Sequence, residues 1–156
     1  MDLEVIVDKS LFFSDLKCKT KEEVISFLAE ELTKKGFVKE SYKTALLERE
    51  GVYPTGLPSN GFNIAIPHAD YTLVNQTTIA IGILENPVTF YSMENIEKPL
   101  DISIVIMLAI DMPHGQIEML QRIVQIIQDD SLRQALVENY NEESVNKLLQ
   151  YLNGGK

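Results

Sequence analysis

Two histidines are the side chains of this sequence best suited to chemistry. His68 and His114 are the only histidines among 156 residues. His68 follows Asn63-Ile-Ala-Ile-Pro67, a short apolar segment that ends in proline. An unperturbed imidazole titrates near pH ~6.5, so at neutral pH it can act as a nucleophile, a base or a ligand. The alternative is a half-buried loop histidine whose hydrogen bonds are satisfied, and both interpretations stand at this point.

The segment before His68 has an unusual composition. Residues 51–62 contain three glycines and two prolines, a density that predicts a shaped loop rather than a regular element. Between Glu50 and Glu85 the only formally charged residue is Asp70. A neutral, shaped loop that leads to a lone histidine is typical of a prepared pocket.

His114 lies in Asp111-Met-Pro-His-Gly115, directly before a predicted helix. Free N–H groups at a helix start bind anions, and a histidine there could donate one more hydrogen bond. The alternative is an ordinary helix start, with Asp111 as its cap and an exposed imidazole.

Three further residues are candidates for the same pocket. Arg49 carries a guanidinium fork that suits phosphate oxygens, although its two glutamate neighbours could simply neutralise a solvated charge. Thr55 is either a turn residue or a hydroxyl donor to an oxyanion. Asp70 either orients His68 or caps the segment that follows it.

Several other chemistries are not supported. The sequence has no GxxxxGK[ST], GxGxxG, HExxH or GxSxG pattern, and its two histidines lack metal-ligand spacing. The single cysteine, Cys18, excludes an intrachain disulfide and a thiolate zinc site. We therefore expect neither a metal nor a cofactor.

Helical patterns flank the pocket segment on both sides. Residues 20–35 are predicted to be a helix in which Thr20 and Glu23 form a capping box, and Gly36 ends it. Further helices are predicted at 39–50, from about 117 to 127, at 130–138 with Asp130 as cap, and at 142–151 with Asn141 as cap.

Two charge-poor, β-branched segments, Thr77–Leu84 and Ile102–Ile110, are typical of central strands buried on both faces. Asn63–Pro67 predicts a shorter strand, and Pro87–Tyr91 an additional one. Helices, then strands, then helices predict an α/β (α+β) three-layer sandwich with a mixed sheet. We expect one domain over residues 1–152 and a flexible tail at 153–156.

The charge balance limits the partners. The chain has 14 basic and 23 acidic residues, a net charge of −9, which disfavours nucleic acid and anionic lipid and is compatible with a basic protein partner. The acidic N-terminus is unlike a secretory signal, and Ile102–Ile110 is far shorter than the ~20 residues of a membrane span. We therefore expect a cytoplasmic protein without membrane insertion.

Several segments occur in the order found in one family. These segments are Leu47-Glu-Arg-Glu-Gly51, Tyr53-Pro-Thr-Gly56, Gly61–His68, Met107-Leu-Ala109 and His114. Together they resemble the type-2 (fructose/mannitol-type) IIA proteins of the bacterial phosphoenolpyruvate:sugar phosphotransferase system. The resemblance covers about residues 5–152. Gly61–Asp70 and His114–Gln121 are most similar to the galactitol-type branch, whereas the loop with Pro54 and Pro58 differs from the simpler turn of many members.

The resemblance implies a phosphotransferase component that carries phosphohistidine. His68 would accept a phosphoryl group from HPr and pass it to a cysteine of a cognate IIB component, and a membrane IIC component would transport the sugar. His114 and Arg49 would hold the phosphoryl oxygens, with Glu50, Thr55 and Asp70 in support.

The resemblance also leaves an alternative. Nitrogen-type IIA proteins share the fold and the histidine but signal through phosphorylation-dependent protein binding. A scaffold domain that has lost phosphotransfer is disfavoured because His68, His114 and Arg49 are all present.

Overall fold

A mixed β-sheet between two layers of helices forms the protein, in a computed structural model that describes Val5 and residues 8–154. Within these residues the strands are β1 (Phe12–Leu16), β2 (Gly56–Leu57), β3 (Asn63–Ala65), β4 (Thr78–Tyr91) and β5 (Pro99–Ala109). The helices are α1 (Lys21–Lys34), α2 (Tyr42–Val52), α3 (Gly115–Ile127), α4 (Asp130–Glu138) and α5 (Glu142–Leu152), with single 3₁₀ turns at Lys9–Leu11 and Tyr71–Leu73. The predicted single-domain, three-layer sandwich is confirmed.

The strand order is β1-β4-β5-β3-β2. The central pair β4 and β5 is antiparallel, whereas β1 runs parallel to β4 and β3 runs parallel to β5. Both central strands are buried over most of their length, as their β-branched composition predicts. The predicted extra strand at 87–91 is instead the second half of β4, beyond an irregularity between Ile83 and Val88.

Alternation along β5 explains why the sheet needs a helical layer on each face. Val105, Met107 and Ala109 belong to the core cluster that α1 and α2 cover. Ile104, Ile106 and Leu108 belong to the cluster that α3, α4 and α5 cover. Successive strand residues point to opposite faces, so an uninterrupted apolar run requires two cores.

The helix caps partly differ from the predictions. The Thr20 hydroxyl accepts a hydrogen bond from the Glu23 N–H at 3.1 Å, as predicted, but the Glu23 carboxylate bonds the Lys19 N–H at 3.1 Å and not that of Thr20. Asp129, not Asp130, caps α4 by accepting from the Leu132 N–H at 3.0 Å. Asn141 caps α5 as predicted.

Helix α2 also differs from its predicted range of 39–50. It begins at Tyr42 because the chain before it is extended: Val38 pairs with Val74 in an antiparallel bridge, and the Lys39 N–H donates to the Leu73 carbonyl at 2.9 Å. It continues through Gly51 to Val52. Strands β1 and β2 were not predicted, since β1 lacks clear alternation and β2 has only two residues.

The C-terminal end of the sandwich is α5, which ends at Leu152. Of the predicted tail at 153–156, residues 155 and 156 lie outside the described residues. No helix in the described part of the chain is long and apolar enough to cross a membrane.

Arg133 on α4 is fully buried and fastens the loop before β3 to the helical layer. Its guanidinium donates hydrogen bonds to the backbone carbonyls of Asn60, Phe62, Ile126 and Ile127 and to the Asp130 carboxylate. Charged donors that bond several carbonyls make strong interactions, and their loss leaves buried acceptors unpaired.

We expect Arg133→Met to lower the free energy of unfolding by about 3 kcal/mol, because one buried and three partly buried carbonyls lose their donor. Lys34→Met is the control, since Lys34 is exposed and makes only a surface ion pair with Glu31. It should change stability by less than about 1 kcal/mol. Urea unfolding measures both, and an Arg133→Met protein as stable as wild type would contradict the role assigned to this side chain.

Candidate functional site

A cleft of ≈ 380 Å³ lies at the sheet edge where the parallel strands β3 and β5 end. Its lining comes from α2, from the segment after β3 and from the start of α3: Arg49, His68, Ala69, Asp70, Tyr71, Pro113, His114 and Gln116. The carboxyl ends of parallel strands are a common place for ligand sites in such sheets. The structure thus brings together four sequence-predicted site residues: Arg49, His68, Asp70 and His114.

His68 has one ring nitrogen committed to the backbone. Its Nδ1 lies 2.9 Å from the Ile66 carbonyl oxygen. Because a carbonyl oxygen can only accept, Nδ1 carries the proton in this contact, which leaves Nε2 with a free lone pair. The segment is held to the sheet by the Leu108 N–H, which donates to the Pro67 carbonyl at 2.9 Å.

The surroundings of His68 favour the neutral ring. Burial in the cleft lowers the pKa of His68, the hydrogen bond to Ile66 opposes this, and the positive charge of Arg49 lowers the pKa further. The net direction is below the ordinary value of 6.5. The imidazole is therefore neutral at pH 7 and can offer Nε2 as a nucleophile.

Arg49 lies in the last two turns of α2, where its guanidinium borders the cleft. The central carbon of the guanidinium is 5.4 Å from the Tyr53 ring centroid, within the range of a cation–π contact. Arg49 also borders an adjoining cleft of ≈ 310 Å³, lined in part by Glu48, Val52 and Tyr53. The side chain is exposed, so an incoming anion can reach it.

His114 stands immediately before α3 in the left-handed region, with φ 66° and ψ 2°. Among the described residues its exposed side chain makes no capping hydrogen bond. Few non-glycine residues adopt this backbone conformation, and such positions are frequent at functional sites. The helix start thus offers its N–H groups and an uncommitted imidazole to the same cleft.

The prediction that Asp111 caps this helix is wrong. The Thr77 hydroxyl donates to the Asp111 carboxylate at 2.6 Å, and the Asp111 N–H donates to the Thr77 oxygen at 3.0 Å. These bonds fasten the end of β5 to the start of β4. Because α3 begins only at Gly115, Asp111 lies too far upstream to cap it.

Glu50 and Thr55 are buried outside the cleft lining. The Glu50 carboxylate accepts from the Thr55 N–H at 2.8 Å and from the Thr55 hydroxyl at 2.9 Å. Burial raises the pKa of Glu50, and these two bonds oppose the rise. The Thr55 carbonyl accepts from the Ile66 N–H at 3.2 Å. Thr55 therefore clamps a loop, and its hydroxyl faces Glu50 rather than an oxyanion.

Asp70 lies at the exposed margin of the cleft. Its carboxylate accepts from the Thr72 N–H at 3.0 Å and caps the 3₁₀ turn Tyr71–Leu73. Of the two roles that the sequence allowed, capping is the one observed, while Ile66 holds the His68 ring.

Three residues near the site were not predicted from the sequence. Tyr71 and Gln116 line the cleft, and their only sequence signal is proximity to Asp70 and His114. Tyr42 looks like an ordinary core aromatic, because it lies one helical turn before the buried Leu46. Within the described residues no group of three or more His, Cys, Asp or Glu side chains could hold a metal ion.

One family model matches residues 5–151, nearly the whole chain. Its description is "Phosphoenolpyruvate-dependent sugar phosphotransferase system, EIIA 2". Among curated proteins, the galactitol-specific EIIA component of Escherichia coli K12 is 26% identical over 117 residues, which is 75% of this chain and 77% of that protein.

Solved structures have the same fold. The complex of enzyme IIAMTL and phosphorylated enzyme IIBMTL from Escherichia coli matches with a TM-score of 0.77 and 26% identity, covering 93% of this chain and 97% of the matched one. The nitrogen regulatory protein IIA-Ntr of Neisseria meningitidis matches with a TM-score of 0.68 and 21% identity, covering 92% and 96%. At that identity, the second likeness shows the fold alone.

We expect NMR of the unphosphorylated protein to show His68 as the tautomer with the proton on Nδ1. Its pKa should lie below 6.5, because burial and Arg49 both disfavour the charged ring. Long-range ¹H–¹⁵N correlation during a pH titration measures both properties, and a His114→Gln variant assigns the signals. A proton on Nε2, or a pKa at or above 6.5, would contradict the site geometry.

Proposed function

This chain belongs to the EIIA 2 family of the phosphoenolpyruvate-dependent sugar phosphotransferase system, and we propose that it carries a phosphoryl group on Nε2 of His68. The observation that carries the proposal is the contact between Nδ1 and the Ile66 carbonyl, which leaves Nε2 as the free nitrogen. His68 lies in the same cleft as Arg49 and His114, the two groups best suited to hold phosphoryl oxygens.

We propose phosphorylated HPr as the donor. The Nε2 lone pair of His68 attacks the donor's phosphorus and forms a new N–P bond. The N–P bond of the donor breaks, and its electron pair returns to the donor's imidazole. Nδ1 of His68 keeps its proton throughout, so the Ile66 carbonyl stabilises the positive charge that develops on the ring.

Arg49 on α2 and His114 directly before α3 bring donors to the transferring phosphoryl group. Transfer between phosphohistidines requires chiefly positioning and charge stabilisation. The guanidinium of Arg49, the imidazole of His114 and the N-terminal end of α3 supply both. Glu50, Thr55 and Asp70 support the site by holding its loops.

The charge distribution suits a carrier that meets other proteins. Asp70 is the only acidic residue that lines the cleft among the described residues, so phosphate meets little repulsion there. The net charge of −9 steers a more basic donor towards the surface, an effect that salt weakens.

The acceptor in this proposal is a cysteine of a cognate IIB component. The likeness to IIAMTL in its complex with phosphorylated IIBMTL supports such a partner. A membrane IIC component would then transport the sugar, and the IIA protein would work in the cytoplasm. Similarity to the galactitol-specific EIIA component favours galactitol or a related polyol.

A nitrogen-type regulatory role is the second candidate, and the likeness to IIA-Ntr supports it only through the fold. Deletion of the gene separates the two roles. Loss of growth on one polyol is expected for the transport role, whereas broad regulatory defects without a sugar phenotype would favour the regulatory one.

We expect one acid-labile phosphoryl group on the wild-type protein after incubation with phosphoenolpyruvate, enzyme I and HPr. His68→Ala should carry none, because the nucleophile is absent. Intact-mass spectrometry makes the measurement, and phosphorylated HPr in the same sample is the control. Normal phosphorylation of folded His68→Ala protein would overturn the assignment of His68.

His114→Ala should slow transfer by about tenfold or more, since it removes one donor to the phosphoryl group. The exposed side chain contributes little to the fold, so the melting temperature should stay within about 3 °C. His114→Asn is a matched variant, because asparagine tolerates the left-handed backbone. Unchanged transfer with a large loss of stability in both variants would assign His114 to structure instead.

A further inference from the structure

Tyr42 is a buried tyrosine that takes no direct part in the proposed transfer step. It is the first residue of α2 and its side chain is fully buried. Its hydroxyl donates to the Leu108 carbonyl of β5 at 2.6 Å. Burial raises the pKa of Tyr42, and the backbone of Ala69 opposes the rise. The phenol therefore stays protonated and donates its hydrogen bond to β5.

The hydroxyl occupies a particular place in the strand ladder. His68 pairs with Leu108 in a parallel bridge, in which the Leu108 N–H donates to the Pro67 carbonyl at 2.9 Å. The Tyr42 hydroxyl donates to the carbonyl of the same Leu108. It thus ties α2 to the strand residue with which His68 pairs, immediately before the chain turns into the cleft.

The same helix holds the chain on the other side of His68. Glu50, two turns after Tyr42, binds Thr55 through two hydrogen bonds. The Thr55 carbonyl then accepts from the Ile66 N–H. The Ile66 carbonyl is the partner of His68 Nδ1. His68 therefore lies between two attachment points that both originate on α2.

Arg49 belongs to the same helix, α2. The two attachments therefore also set the distance between His68 and the guanidinium. Through Tyr42 and Glu50, one helix holds the backbone on both sides of His68, and this fixes the position of the imidazole relative to the guanidinium. An error of about 1 Å in such an arrangement can cost about a hundredfold in rate.

We propose that Tyr42 is a positioning residue for phosphoryl transfer, whose hydroxyl sets the place of the His68–Ala69 backbone relative to Arg49. This rests on the proposed function of His68. Tyr42 itself touches neither the donor nor the phosphoryl group, so its loss acts on the rate at saturation and not on donor affinity.

The test is Tyr42→Phe, which removes only the hydroxyl. With phosphorylated HPr as donor, kcat should fall about tenfold while KM stays within about twofold of wild type. The control is Tyr151→Phe, which also removes a bonded hydroxyl, since Tyr151 donates to the Asp129 carboxylate at 2.9 Å away from the cleft. Tyr151→Phe should leave kcat unchanged, and melting temperatures of both variants are measured alongside.

A second measurement needs no donor. In Tyr42→Phe, the His68 ring signals and pKa should shift, because the backbone around the ring moves. In the wild-type protein the Tyr42 hydroxyl proton should exchange slowly enough with solvent to give an NMR signal, since it is buried and bonded to the Leu108 carbonyl. If Tyr42→Phe fails to fold, this signal still tests the contact.

Wild-type kcat together with unshifted His68 signals in folded Tyr42→Phe protein would overturn the proposal, as would rapid exchange of the Tyr42 hydroxyl proton. A rise in KM at unchanged kcat would also overturn it and assign Tyr42 to donor docking. If the wild-type protein takes up no phosphoryl group, the proposed function of His68 is refuted instead. The NMR signals, which need no donor, then test only the contact of Tyr42 with the backbone.

Discussion

One hydrogen bond, from Nδ1 of His68 to the Ile66 carbonyl, is the interaction on which the site depends. An imidazole has two nitrogens that exchange roles with the tautomer, and only a committed partner fixes which one is nucleophilic. The partner here is a backbone carbonyl two residues upstream, not a carboxylate. In the proposed transfer, this carbonyl adds no negative charge beside the incoming phosphoryl group, and it stabilises the ring when positive charge develops there.

The fold holds that bond in place and brings Arg49 and His114 to the same cleft. Parallel pairing of β3 with β5 places the ends of both strands at one edge of the sheet. From that edge, β5 leads to His114 and α3, and the segment after β3 carries His68. Helix α2 packs over the same end and supplies Arg49. Two apolar cores, one on each sheet face, make these elements rigid enough to hold reacting groups.

The sequence predicted those features that depend on local pattern. The central strands β4 and β5 were recognisable from composition, and the cleft segment from its glycines, prolines and lack of charge. The roles of Glu50 and Tyr42 were not predictable in this way, because each depends on a contact between segments distant in the chain. Arg133 shows the same limit, since four of its five acceptors are backbone carbonyls that no residue type reveals.

The position of the phosphate on the His68 ring shows whether the contact between Nδ1 and Ile66 directs the chemistry. The protein is phosphorylated through phosphoenolpyruvate, enzyme I and HPr, and ¹H–¹⁵N and ³¹P NMR then identify the nitrogen that bears phosphorus. We expect phosphorus on Nε2 of His68, with the proton still on Nδ1 and bonded to Ile66. Phosphorus on Nδ1 of His68, or on His114, would contradict it.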